Sequence, residues 1–176
     1  ESLIIARTPI ILQQADREAA VLSALSKADR HKPCLVLAPS GAGKSTFLAN
    51  IVAKLRKEEE DASNAIITVF IGAAEGSTSI SRVVAAVCDC LDPAGSTATA
   101  ADFVELVERF QALLERRSSG HQTTTLVFDA LNELDSAHQA RSLSWLPAVL
   151  PPGVRVLLSA IDAPPSTAAA GDPSAA

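Results

Sequence analysis

Residues 38–46 of this chain, Ala-Pro-Ser-Gly-Ala-Gly-Lys-Ser-Thr, have the composition and spacing of a loop that binds phosphate. An apolar run at 34–37 precedes the loop, and apolar residues at helical spacing follow it. We therefore expect a strand, a tight turn and a helix N-terminus, whose backbone N–H groups and dipole attract phosphate. Lys44 would reach the β- and γ-phosphates of a nucleotide, and the Ser45 hydroxyl would ligate Mg²⁺. The nucleotide-binding residues expected in this loop are Ser40, Gly41, Ala42, Gly43, Lys44, Ser45 and Thr46.

A second candidate for chemistry is Asp129, which follows the apolar run 124–128. A buried strand that ends in aspartate delivers a carboxylate to the sheet edge where a phosphate-binding loop lies. We expect Asp129 to hold Mg²⁺ opposite Ser45, and Glu133 to orient or deprotonate the attacking water. Asn132 could help to position that water or contact the γ-phosphate. In the alternative interpretation, Asp129 only caps a loop and Glu133 is a solvated carboxylate.

Strand and helix patterns alternate along the chain, and the fold that they form has to bring the loop 38–46 and Asp129 together. Alternation of this kind predicts an α/β fold with a mostly parallel sheet and helices on both faces. The β-branched run 65–71 suits a strand that is buried on both faces. Strands are predicted at 34–37, 65–71, 124–128 and 154–159. Helices are predicted at 17–29, across the apolar positions 47–55 and 80–91, and at 103–114 and 136–145, with residue 78 or 79 as the cap of the third.

Length and composition favour one domain, in which a short lead-in (1–32) precedes a core (33–162) and a low-complexity linker (163–176). The net charge of −5 argues against a broad face that binds nucleic acid. No apolar run approaches the roughly 20 residues of a membrane span, and no secretory signal is visible. The three cysteines form neither a disulfide framework nor a zinc set, so we expect buried, reduced thiols and a cytoplasmic protein. Because the chain begins at Glu1 rather than Met, we expect a segment of a longer protein.

Other classes of nucleotide-binding protein can be tested on residues. The nearest match to a guanine-binding motif, at 26–29, lies before the phosphate loop, and the Leu-Ser-Gly-Gly signature of ABC-type ATPases is absent. A small-molecule kinase remains the runner-up enzyme, although its lid would need several convergent arginines. The candidates are scattered over predicted helix faces and comprise Arg82, Arg109, Arg116, Arg117 and Arg141.

The chain resembles the NACHT-type branch of STAND NTPases, and within it the telomerase-associated-protein and nephrocystin subgroup. The resemblance covers residues 10–162 and is carried by the loop 38–46 and by the segments 70–73 with 77–79, 129–133, 145–147 and 151–155. It implies a three-layer P-loop NTPase in which bound ATP or ADP switches a large multidomain scaffold between closed and open, often oligomeric, states. By position, Lys44 and Ser45 would serve phosphate and Mg²⁺, Asp129 the Mg²⁺ and Glu133 hydrolysis. Ser159 matches the sensor position, which contacts the γ-phosphate.

Several departures from the family pattern shape the expected function. Ala38 replaces the first Gly of the phosphate loop, Asp16 replaces the Gly of a Gly-Arg-Glu lead-in, and Asn132 replaces a second acidic residue. The chain also stops after the fourth predicted strand, so we expect a fold that is incomplete at its C-terminus. Asn132 predicts slow hydrolysis.

We therefore expect an ATP-binding switch module of a larger protein. Its partners would be nucleotide with Mg²⁺, other domains of the same chain and further copies or proteins, without nucleic acid or membrane. The expected location is cytoplasmic, in one version within a cytoskeletal, ciliary or ribonucleoprotein assembly. A degenerate P-loop domain with a structural role is the alternative, and the choice between ATP and GTP stays open.

Overall fold

A four-stranded, wholly parallel sheet forms the centre of the computed structural model, which describes residues 17–26, 31–58, 63–95 and 102–162. The order across the sheet is β1, β4, β3, β2. The strands are β1 (Cys34–Ala38), β2 (Ala65–Phe70), β3 (Thr124–Asp129) and β4 (Val154–Ile161). Each strand runs in the same direction, so all carboxyl ends meet at one edge, and the predicted fold class is confirmed.

Four α-helices connect and cover these strands: α1 (Arg17–Ser26), α2 (Lys44–Glu58), α3 (Ile80–Leu91) and α4 (Phe103–Ser119). Helix α2 begins at Lys44, within the phosphate-loop sequence 38–46, and covers the apolar positions whose spacing predicts a helix. Helix α4 begins where the Asp102 side chain accepts a hydrogen bond from the Glu105 N–H at 2.9 Å, which satisfies one of the free donors of the first turn. Two short 3₁₀ segments, Leu131–Glu133 and Ala137–Ser142, follow β3. In the described ranges, no helix is both long and apolar enough to cross a bilayer.

The two faces of the sheet carry separate apolar clusters. Val127 of β3 and Leu157 of β4 pack with α1 and α2, whereas their neighbours Phe128 and Leu158 pack with α3 and α4. The fold therefore has three layers. Because side chains alternate between faces along a strand, Asp129 and Ser159 lie on the same face as Val127 and Leu157, which is the face of α2.

The segment that follows β3 differs from the helix predicted at 136–145. Only 137–142 is helical, in 3₁₀ form, and His138 and Gln139 interrupt it with φ angles of 52° and 51°. The cause is burial of Trp145, which is 2% exposed. Its ring lies edge-to-face with that of Phe128, with the ring centroids 5.1 Å apart, and its Nε1–H donates to the Ala140 carbonyl at 2.9 Å. The contacts of Trp145 with the core are therefore made from an irregular segment in place of the predicted helix.

Two further expectations differ from the structure, and a third concerns residues that the structure does not describe. Strand β2 is half-buried rather than buried on both faces, because within the described sheet it is an outer strand with β3 as its neighbour. Cys34 and Cys88 are buried as expected, but Cys90 is exposed on α3. Most of the predicted lead-in, residues 27–29 of the first predicted helix and the predicted linker at 163–176 lie outside the described residues.

Candidate functional site

The loop between β1 and α2 has the backbone conformation that phosphate binding needs. Gly41 and Gly43 have φ angles of 77° and 79°, in a region that residues with a Cβ rarely adopt. A Cβ built on either glycine would meet no atom within 4 Å, so these positions serve the turn and leave open space in front of it. The Phe47 N–H donates to the Gly43 carbonyl at 2.9 Å, which starts the hydrogen bonding of α2 at the loop.

Lys44, the first residue of α2, folds its ammonium group back over this loop. Its Nζ donates to the carbonyl oxygens of Ala38 at 2.9 Å and Pro39 at 2.8 Å. Both acceptors are neutral, and an ammonium group is attracted more strongly by the anionic oxygens of a phosphate. The lysine is thus held where an arriving phosphate could replace its present partners.

Asp129 ends β3 as a buried carboxylate that is 3% exposed. The Ser159 hydroxyl of β4 donates to Asp129 Oδ1 and accepts the Ala130 N–H at 2.9 Å. The Asp129 carbonyl accepts the Ile71 N–H at 3.1 Å, which ties the end of β2 to the same point. The structure therefore gives Ser159 a contact with the carboxylate of Asp129, which its predicted sensor role did not include.

Glu133 reaches the site through a sharp turn after β3. Ala130 adopts the left-handed conformation (φ 62°, ψ 51°), and the Glu133 N–H closes the turn on the Ala130 carbonyl at 2.8 Å. The Glu133 side chain is exposed, and its Oε1 accepts the Asn132 Nδ2–H at 2.7 Å. The left-handed alanine has no sequence signal, so the turn itself could not be predicted.

These elements enclose one cleft of about 370 Å³. It is lined by Ser40, Gly41, Gly43, Lys44, Ser45, Thr46, Asp129, Ala130, Asn132, Glu133 and Ile161. Ala42 and Ser159 were also predicted to bind nucleotide, but Ala42 is not part of the lining and Ser159 is completely buried beside Asp129. Ala130 and Ile161 are lining residues that the sequence did not single out, and both follow from positions at strand ends.

The lining fits a nucleotide phosphate group with Mg²⁺. The loop leaves open space beside Gly41 and Gly43, and Lys44 is the cationic side chain among the lining residues. Asp129 and Ser45 supply a carboxylate and a hydroxyl, the oxygen ligands that Mg²⁺ prefers alongside phosphate and water. The volume lies within the range of small-molecule sites, about 300–1,000 Å³. Over the described ranges, no group of three or more His, Cys, Asp or Glu residues forms a separate metal site.

The family model of the NACHT domain matches residues 32–169, which include the whole sheet and every lining residue. The chain belongs to the NACHT domain family. This confirms the predicted family and makes the chain a P-loop nucleotide-binding module. The subgroup suggested by the sequence stays a prediction.

Curated relatives of this NACHT domain are much longer proteins. The chain is 29% identical over 151 residues to human NACHT and WD repeat domain-containing protein 2, with 77% of this chain and 8% of that protein covered. It is 25% identical over 137 residues to human NACHT domain- and WD repeat-containing protein 1, with 74% and 9% covered. The chain therefore spans less than a tenth of the length of these relatives.

Solved structures with the same fold include two from Aeropyrum pernix. One is the ORC1 protein in complex with DNA, with a TM-score of 0.58 at 16% identity, covering 90% of this chain and 42% of that chain. The other is the ORC2 protein in its ADPNP-ADP complexes, with a TM-score of 0.52 at 12% identity, covering 91% and 44%. At these identities the likeness concerns the fold.

The arginines of the NACHT domain that were considered for a kinase lid lie away from the cleft lining and contact other parts of the fold. Arg117 donates to Thr124 Oγ1 at 2.8 Å and to the Ser63 carbonyl at 2.7 Å, and burial together with the neighbouring Arg116 lowers its pKa. Arg141 donates to the Leu134 carbonyl, with its Nη2 at 2.7 Å. These contacts hold loops in place, which disfavours the kinase interpretation.

Proposed function

We propose that this NACHT domain binds ATP with Mg²⁺ in the cleft, hydrolyses it slowly and acts as a switch module of a larger multidomain protein. One observation carries the proposal: the fold brings Lys44 and Ser45 from the loop together with Asp129 and Glu133 from the strand end in a single cleft. The two motifs are more than 80 residues apart in the sequence, and both follow strands that end at the same edge of the sheet, β1 and β3, which flank β4.

Each group then has one task. Lys44 exchanges two neutral carbonyl partners for phosphate oxygens, and the loop N–H groups bind the same charge. Ser159 holds the Asp129 carboxylate in position for the metal. Mg²⁺, when bound, would neutralise charge on the β- and γ-phosphates. Glu133 orients the attacking water and accepts its proton.

Slow turnover follows from how open the site is. Glu133 is exposed, and the loop residues Ser40–Gly43 are exposed as well. A hydrolytic site works best when closure excludes bulk water and strengthens its electrostatic interactions. An open site of this kind favours slow hydrolysis.

The switch role is supported by the length and domain content of the relatives, which carry WD repeats by name. We propose that the nucleotide state of this domain controls its contacts with other domains of the same chain, with protein partners and with further copies. The net charge of −5 supports a role without direct nucleic-acid binding. A cytoplasmic location, in agreement with three free thiols, completes the proposal.

The test is a product analysis with γ-labelled ATP and Mg²⁺. Wild type and Glu133→Gln are compared, with Glu115→Gln on the exposed side of α4 as the matched control. We expect slow release of inorganic phosphate by wild type and Glu115→Gln, and a loss of about 100-fold in Glu133→Gln. Label in an added nucleotide acceptor would establish a kinase instead, and no product from wild type would refute hydrolysis by this domain.

A further inference from the structure

Glu133 is exposed, yet its carboxylate has a hydrogen-bond partner and its stem lies beside a glycine. Asn132 donates from Nδ2 to Glu133 Oε1 at 2.7 Å. Near the stem of Glu133 lies Gly72, in the turn after β2, at a φ angle of 81°. An exposed glutamate on a loop normally samples several rotamers, so a side-chain donor on the carboxylate and a residue without a Cβ beside the stem need an explanation.

The orientation of the Asn132 amide is fixed by its second contact. Its Oδ1 accepts the Ile161 backbone N–H at 3.2 Å. A backbone N–H can only donate, so the oxygen must face Ile161, and the Nδ2 group is left to face Glu133. The amide thus joins the glutamate to the last residue of β4.

That residue connects Glu133 to the phosphate loop. Ile161 is paired with Ala38 in the parallel register of β4 and β1, and the next N–H, of Asp162, donates to the Ala38 carbonyl at 3.2 Å. The same carbonyl accepts Lys44 Nζ. The Glu133 carboxylate is therefore fixed relative to the loop that would hold the phosphates.

Gly72 provides room for the glutamate. A Cβ at this position would lie 3.3 Å from both Cβ and Cγ of Glu133, which is closer than such atoms normally come. The turn itself is anchored, because the preceding Ile71 N–H donates to the Asp129 carbonyl. A side chain at 72 would press on the stem of Glu133 and would meet its Oε2 at an ordinary contact distance of 3.9 Å.

We infer that Asn132 is the positioning residue for Glu133 and that Gly72 keeps free the space in which the glutamate sits. The inference rests on the proposed hydrolysis and deepens it. It also reverses the expectation that Asn132, the neutral residue at an acidic family position, slows hydrolysis: the amide donates a hydrogen bond to the Glu133 carboxylate, which an ionised aspartate could not do.

The first variant is Asn132→Asp. It keeps an oxygen for the Ile161 N–H but brings a second carboxylate against Glu133 in place of the donor. Asn64→Asp is the matched control, because the Asn64 Oδ1 likewise accepts a backbone N–H, of Thr123 at 2.7 Å, at the opposite end of the sheet. We expect kcat for ATP to fall at least about tenfold in Asn132→Asp, with the Kd for Mg-ATP within about twofold of wild type. Asn64→Asp should change neither value.

The second variant is Gly72→Ala, with Gly153→Ala as its control. Both glycines have a φ angle near 80°, and a Cβ on Gly153 would also lie 3.3 Å from its nearest atom, the Gln122 carbonyl oxygen. The backbone strain is therefore alike, and only Gly72→Ala displaces Glu133. We expect both variants to lose stability and only Gly72→Ala to lose turnover at unchanged Kd.

The outcomes separate the two proposals. Adding Asn132→Asp to Glu133→Gln should cause no further loss of kcat, because Asn132 acts through the glutamate. Wild-type turnover in Asn132→Asp, or additive losses in the double variant, would overturn the positioning role while leaving nucleotide hydrolysis established. Failure of wild type to bind Mg-ATP would instead overturn the proposed function and this inference with it.

Discussion

Replacing Ser159 by alanine removes the hydroxyl that holds the buried carboxylate at the end of β3. Ser159 Oγ donates to Asp129 Oδ1 and accepts the Ala130 N–H at 2.9 Å, and Ser159 itself is completely buried. A hydrogen bond to a charged group contributes about 1.5–3 kcal/mol, and an N–H that loses its acceptor costs about 1 kcal/mol more. We therefore expect Ser159→Ala to lower the free energy of unfolding by about 3 kcal/mol.

Urea unfolding measures this loss directly. Trp145 is the one tryptophan of the chain and is 2% exposed, so its emission reports loss of the core. Ser119→Ala, at the exposed end of α4, is the control and should change stability by less than about 0.5 kcal/mol. A marginal domain stability of about 5–15 kcal/mol leaves the Ser159 variant folded enough to measure.

A double-mutant cycle identifies the partner. In the Asp129→Ala background no carboxylate needs the hydroxyl, so Ser159→Ala should cost only about 1 kcal/mol there. The coupling energy between the two positions should then be about 2 kcal/mol. Equal costs in the two backgrounds, or a wild-type midpoint for Ser159→Ala, would refute the argument that Ser159 holds Asp129.

The cysteines give two further predictions. Because Cys34 and Cys88 are buried and Cys90 is exposed, iodoacetamide should label Cys90 alone in the native protein at pH 8 and all three thiols in urea. Mass spectrometry locates the label, and label on Cys34 in native samples would contradict its burial. Burial also raises the pKa of the Cys34 thiol from 9.0 to about 11, so both folded and unfolded forms hold the proton below pH 9, and stability falls between pH 9 and 11 as the unfolded thiol ionises. Denaturation midpoints across this range should fall more steeply for wild type than for Cys34→Ala, and parallel curves would show that the thiol makes no contribution.

The sequence predicted those parts of the site that depend on neighbours in the chain. The loop at 38–46 and Asp129 at a strand end are local patterns, and each implies its own backbone geometry. The contact between Ser159 and Asp129 was not predictable, because it depends on β4 lying next to β3. The left-handed Ala130 and the amide of Asn132 depend on the same arrangement.

The errors in the fold have related physical causes. The run 65–71 has the composition of a central strand, but burial depends on which strands lie beside it, and β2 lies at the outside of the described sheet. Residues 136–145 have helical spacing, yet the contacts of Trp145 with Phe128 and the Ala140 carbonyl require an irregular path. In both cases tertiary packing overrode a local preference.

Binding of a fluorescent ATP analogue, measured with and without Mg²⁺, tests nucleotide binding by this cleft most directly. Lys44→Ala removes the ammonium group from the loop, and Lys54→Ala is the matched control, because Lys54 lies on the same helix and pairs with Glu18 instead. We predict saturable, Mg²⁺-dependent binding by wild type and Lys54→Ala, competition by ADP, and loss of binding in a folded Lys44→Ala. No binding by wild type, or equal affinity of wild type and Lys44→Ala, would contradict it.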